Sequence, residues 1–162
     1  MAKDKVPSPK RGINRPSDLG DRTPVSALLD PQVEVGSFIT NADPESTDGR
    51  DAVFAAARPP DMKADDLLGN TFDVKFWVCQ KQMIHGRADE GDKLVIRTTL
   101  IDPSGKTFSS TSSGVLKSID VLRGFYPDVA YDPPIAMRLT SADLGKGADF
   151  LMLVPVTAIS GG

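Results

Sequence analysis

A chain of 162 residues and 17.3 kDa, 40% hydrophobic but only 6% aromatic, has material for one modest core with appendages rather than for two full domains. Its net charge of -3 and pI near 5.1 exclude a globally basic polyanion binder, so any such role must rest on the local field of a groove. The single cysteine, Cys79, excludes an intramolecular disulfide and a cysteine-rich zinc cluster, and no apolar run is long enough to span a bilayer.

Residues 1–31 are punctuated by Pro7, Pro9, Pro16, Pro24 and Pro31, with Lys3, Lys5, Lys10, Arg11, Arg15 and Arg22 between them. Prolines at this density remove backbone donors and fix φ, which predicts a solvated arm without continuous helix or ladder. A sharper role is a basic arm that follows a phosphate backbone or docks on a neighbouring subunit, although Asp4, Asp18 and Asp21 dilute its charge. No hydrophobic segment follows Met1-Ala2-Lys3-Asp4-Lys5, so a cytoplasmic protein without a secretory signal is expected. Val33 to Thr40 has the composition of a short strand interrupted by Gly36, and residues 41–49 are turn-rich. Asp51 to Arg58 reads as one or two helical turns ended by Pro59-Pro60. The domain boundary is placed there: an N-terminal extension over 1–60, a compact domain over 61–157, and a short tail over 158–162.

Phe72, Val74, Phe76 and Val78 alternate with Asp73, Lys75, Trp77 and Cys79, the period of a half-buried strand. The first set makes a natural core face, which turns Trp77 outward beside Lys75. Gln80 to Gly91 reads as a polar loop carrying Lys81, His85 and Arg87. Asp92 to Ile101 is a second strand, Asp102-Pro103-Ser104-Gly105 a turn, and Thr107 to Thr111 the returning third strand. A helix follows, capped by Ser112 or Ser113, with an apolar stripe of Val115, Leu116, Ile119 and Leu122. Arg123 sits in its last turn and Gly124 is its stop. After a loop anchored by Phe125, Tyr126 and Tyr131, Ile135 to Thr140 and Phe150 to Val156 supply the fourth and fifth strands. Gly145 and Gly147 lie in the turn between them, and Pro155 belongs at a strand end or on an edge.

Three strands, a helix and two strands is an order that resembles the OB-fold, a five-stranded Greek-key barrel that binds oligonucleotides and oligosaccharides. The expected fold is therefore all-β (β-rich): an OB-fold-like barrel with one helix between strands 3 and 4, plus an irregular N-terminal extension. The segment Ala64-Asp65-Asp66-Leu67-Leu68-Gly69-Asn70-Thr71-Phe72-Asp73-Val74 resembles the opening of phage-type single-stranded DNA-binding proteins, in which a Leu-Leu-Gly element leads into the first strand. Thr107-Phe108-Ser109-Ser110-Thr111-Ser112-Ser113-Gly114-Val115-Leu116 is similar to that family's third strand and helix start. The resemblance covers Ala64 to Val156. It implies a DNA replication or recombination protein encoded by a phage, acting in the bacterial host cytoplasm.

The physical requirement agrees with that expectation. A sequence-tolerant binder of single strands needs flat π surfaces interleaved with cations, each stacked base being worth about 1–3 kcal/mol. Trp77 with Lys75, and Arg97 on the next strand, would supply such a surface, and Phe108 a second ring. Lys81, Arg87, Lys93 and Lys106 would line the backbone path. The bland alternative for Trp77 and Phe108 is core packing, because large aromatics usually pack, and for each cation it is a solvated surface position. His85 reads as a solvated imidazole, Cys79 as an inert thiol, and Asp89-Glu90-Gly91-Asp92 as a solvated loop lacking the full spacing of a calcium site.

One histidine and one cysteine leave few nucleophile–base pairs, and no P-loop, Gly-x-Ser-x-Gly or His-Glu-x-x-His pattern is present. No enzymatic activity, metal or cofactor is expected. Two functions of different class follow from the sequence. One is a sequence-independent single-stranded DNA-binding protein, extending to RNA, with replication proteins as partners. The other is a structural or protein-interaction β-barrel that assembles as a homo-oligomer through its N-terminal arm.

Overall fold

The alternation that begins at Phe72 changes sides after Val74, and that step sets the architecture. A computed structural model describes residues 23–86, 91–143 and 149–156. In it the expected single strand is two: β2 (Thr71–Val74) and β3 (Phe76–Ile84), with β1 (Phe38–Thr40) preceding them. Lys75 stands between. Its N–H donates to the Ile101 carbonyl at 2.9 Å, and its own carbonyl accepts from Tyr131 N–H and from Asn41 Nδ2, each at 3.1 Å. One residue outside the ladder inverts a period of two, so Phe72 and Val74 share the main core with Trp77 and Cys79. Phe76 and Val78 face the other way.

The two segments serve two antiparallel sheets. One has the order β1-β3-β4-β5, with β4 (Lys93–Ile101) and β5 (Thr107–Ser110); the other has the order β2-β6-β7, with β6 (Ile135–Asp143) and β7 (Asp149–Pro155). β3 and β4 pair over their whole length, from Phe76↔Ile101 to Ile84↔Lys93. The strand therefore continues through Gln80–Ile84, where the sequence predicts loop. The Asp102–Gly105 turn forms as expected. Gly105 takes a φ of +94°, and the Asp102 side chain accepts from the Ser104 and Lys106 N–H groups, both at 2.9 Å. Pro155 is the last residue of β7, which lies at the edge of its sheet, where its missing donor costs nothing.

Three α-helices complete the described residues: α1 (Thr47–Ala56), the four-residue α2 (Ala64–Leu67) and α3 (Ser113–Arg123). Ser112 caps α3, its Oγ accepting from Gly114 and Val115 N–H, and the predicted stripe of Val115, Leu116, Ile119 and Leu122 is buried. α3 also bears on the shape of the whole. Its Ser118 Oγ accepts the Leu153 N–H of β7 at 2.9 Å, satisfying an edge amide that a neighbouring strand would otherwise take. The outer edge of β5 is met by Met62, whose N–H donates to the Thr107 carbonyl at 2.9 Å. The two sheets are thus bridged by a helix and a short extended segment. They form no closed five-stranded barrel, which corrects that part of the expectation.

Residues of the expected extension take part in the same packing. Val25 and Leu28, on a 3-10 turn over Val25–Leu29, and Ile39 of β1 belong to the main core with Trp77, Leu100 and Phe108. α1 begins four residues earlier than predicted, with Ser46 as its cap, and lays Ala52, Ala55 and Ala56 over Phe76, Val78 and Ile101 on the outer face of the larger sheet. That face is consequently half covered. The basic and proline-rich residues 1–22, Arg87, Asp89, Glu90, Gly145, Gly147 and the tail lie outside the described residues. Among the described residues no helix is long and apolar enough to cross a membrane.

Candidate nucleic-acid interface

β3 is the strand from which a stacking surface was expected, and its burial shows why none forms there. Phe76, Trp77, Val78 and Cys79 are four consecutive buried residues, so over this first half both faces of the strand are committed to packing. Trp77 is 0% exposed. Its N–H donates to Asn41 Oδ1 at 2.7 Å and its Nε1–H to the Tyr131 hydroxyl at 3.0 Å. The Arg123 guanidinium lies 5.4 Å over its ring and donates to both carboxylate oxygens of buried Asp128, at 3.1 and 2.9 Å. The indole is therefore the centre of an internal network, and the expectation of an exposed platform is corrected. Phe108, opposite Leu100 in the β4–β5 ladder, is also 0% exposed and offers no ring to a ligand.

Lys81 is likewise internal. On the core side of β3, opposite Ile96, it sends Nζ to the carbonyls of Asp30 and Val33 at 2.9 and 2.8 Å. A buried ammonium needs acceptors, and these two fasten the segment before β1 to the sheet. No phosphate path runs past it.

The remaining candidates separate along the larger sheet. Arg97 sits mid-strand on the outer face, paired with Gln80, and its Nη2 donates to the Arg58 carbonyl at 2.8 Å, just beyond the C-terminus of α1. A cation at that point complements the helix dipole. Partial burial draws its pKa below the ordinary value, yet an arginine stays charged. The same face continues through the Gln82–Val95 pair to Ile84–Lys93, where Lys93 is exposed. A rise of about 3.4 Å per residue places Lys93 roughly 14 Å along the strand from Arg97. Lys106 is exposed at the opposite end, in the β4–β5 turn. Lys75 is half-buried with Nζ 5.4 Å from the Phe76 ring, and it lines a cleft of about 700 Å³ together with Asp43, Glu45, Asp48 and Asp132. So many carboxylates make that cleft a poor path for phosphates.

Sequence reading passed over another group. α1 turns Phe54 to solvent, 71% exposed, with Arg50 one turn before it, and exposed Arg58 follows two residues past the end of the helix. Placing the helix start at Asp51 cut Arg50 off from the pattern. The spacing of Arg50, Phe54 and Arg58 would have shown it once Ser46 was recognised as the cap.

His85 Nδ1 and Asp92 Oδ1 form an exposed pair at 3.1 Å. Burial pushes the Cys79 thiol up to about 12, and its Sγ lies 3.7 Å from Thr98 Oγ1. Among the described residues no group of three or more His, Cys, Asp or Glu side chains is placed to hold a metal ion. Compared with protein-family models, curated proteins and solved structures, the chain matches none of them.

Proposed function

We propose that this protein binds single-stranded DNA without sequence preference, on an OB-like frame, and coats replication or recombination intermediates in the manner of the phage-type proteins it resembles. The frame is supported by connectivity. A strand bent at Lys75 enters both sheets, a hairpin and third strand follow, and a helix precedes the last two strands. The observation that carries the reading is the outer face of β3 and β4. There Gln80, Arg97, Gln82 and Lys93 stand in register, interleaved with Val95 and Ile84, while the opposite face of the same strands is buried as far as Lys81 and Ile96. The ligand is held by phosphate contacts from Arg97 and Lys93, supplemented by Lys106. The net charge of -3 makes this binding local and salt-sensitive.

Anisotropy of a fluorescein-labelled oligothymidylate tests it. Affinity should fall with salt at a slope of about -0.7 per phosphate neutralised, and Arg97→Ala with Lys93→Ala should lower both affinity and slope. A flat titration at low salt removes the proposal. The label belongs on the oligonucleotide because the Trp77 ring is sealed and cannot report stacking directly.

A second reading, a protein-interaction module, is favoured by a different surface. At the C-terminal end of α3 and just past it, Phe125 is 80% exposed, Val121 62% and Tyr126 40%. Light scattering at increasing concentration distinguishes it, since a monomer throughout that range would count against self-assembly.

A further inference from the structure

We infer that the base-stacking element of this protein is the outward ridge of α1, with Phe54 as its π surface and Arg50, Arg58 and Arg97 as its phosphate contacts. The inference rests on the single-stranded DNA reading above and names the part of the surface that performs the stacking. The larger sheet cannot supply it, because Trp77 and Phe108 are sealed in the core and Phe76 lies beneath α1. A binder of unpaired bases still requires an exposed ring among cations.

α1 meets that requirement by its own periodicity. Ala52, Ala55 and Ala56 are buried against the sheet, so the positions on the far side, Arg50 and Phe54, face water. Small alanines let the helix lie close to the strands and keep the ridge near the sheet's outer face. Burying a phenylalanine is worth about 1.5–3 kcal/mol, and Phe54 forgoes that gain at 71% exposure. An isolated exposed apolar residue is ordinary, but here Arg50 lies one turn before the ring and Arg58 just past the helix end, cations suited to a nucleotide's phosphates, with Asp48 and Asp51 of the same helix offsetting part of that charge. The Arg50 guanidinium is held by the Glu45 carbonyl at 3.3 Å, and Arg97 is tied to the backbone of Arg58 at 2.8 Å. The ridge of α1 and the outer face of β4 are therefore joined at Arg58. A strand whose bases lie on Phe54 has its phosphates carried past Arg58 and Arg97 toward Lys93.

The test uses the full chain and the labelled oligothymidylate, with unlabelled duplex as competitor. Phe54→Ala should weaken binding by roughly five- to a hundredfold, the range for one stacked base, with the salt slope unchanged. Phe54→Trp should retain affinity and acquire an emission component that the oligonucleotide quenches. Arg50→Ala and Arg58→Ala should each reduce the salt slope by up to about 0.7. If the native chain binds while Phe54→Ala binds equally well, or duplex competes as effectively as single strand, the ridge is not the stacking element and the reading of the outer face of β3 and β4 survives alone. If the native chain does not bind at low salt, both fall. Because Phe54 is exposed and outside the core, loss of folding cannot account for a loss of binding in its variants.

Discussion

Trp77, Lys81 and Cys79 occupy alternate positions on one strand and all face inward, yet each is accommodated differently. The indole N–H has Tyr131 and the ammonium has two backbone carbonyls, so neither is a buried polar group without a partner. The thiol has Thr98 Oγ1 at 3.7 Å, and burial is the main reason its pKa is pushed from 9.0 up to about 12. A measurable consequence follows. Between those values the unfolded chain has released a proton that the folded chain keeps. Stability is therefore fully present below pH 9 and declines as pH rises, by up to about 1.4 kcal/mol per pH unit from this group. Urea midpoints compared between the native chain and Cys79→Ala from about pH 8 to 10.5 should converge as pH rises. Parallel curves would show that the thiol titrates normally in the fold.

At the scale of elements, α1 shows how a small residue positions the ridge proposed above to stack bases. Gly49 is its third residue, donates to the Ser46 cap oxygen at 2.9 Å, and is buried. A Cβ added there would fall on the Asp43 carbonyl, which is backbone and cannot swing aside. Two effects oppose in Gly49→Ala. Alanine gains about 1 kcal/mol of helix propensity, whereas forcing an atom into a packed backbone costs about 1–3 kcal/mol. The clash should prevail, lowering the thermal midpoint and weakening oligonucleotide binding as α1 shifts. A variant as stable as the native chain would show that the helix start relaxes freely. The sequence made this helix legible as a helix but not its length, because the cap and first turn, Ser46 to Gly49, read equally well as a turn cluster.

For the whole molecule, the core crosses the boundary that the prolines at 59 and 60 indicate. Val25, Leu28 and Ile39 lie in one cluster with Trp77 and Phe108, and α1 covers Phe76, Val78 and Ile101. A fragment spanning residues 61–157 contains every expected barrel strand but would expose that covering surface and strip Lys81 of both its acceptors. It should lack a cooperative thermal transition by circular dichroism and show red-shifted Trp77 emission. A sharp transition with emission like that of the full chain would prove the fragment an independent domain.

The order of the elements from β4 onward, a serine cap at Ser112 or Ser113, the Asp102–Gly105 turn and the stripe on α3 are local chemistry, and the amino-acid sequence determined them unaided; the division of the first strand at Lys75 and the helix over Ala64–Leu67 it did not reveal. Sidedness was decided only in three dimensions. A period of two says that neighbours point in opposite directions but not which direction is inward, and one residue at Lys75 exchanges the two. The first four residues of β3 are moreover buried on both faces by segments far away in the chain, so their composition was the same whether Trp77 met water or the core. On α1, for the same reason, alanines needed for close packing left the ring of Phe54 on the far side.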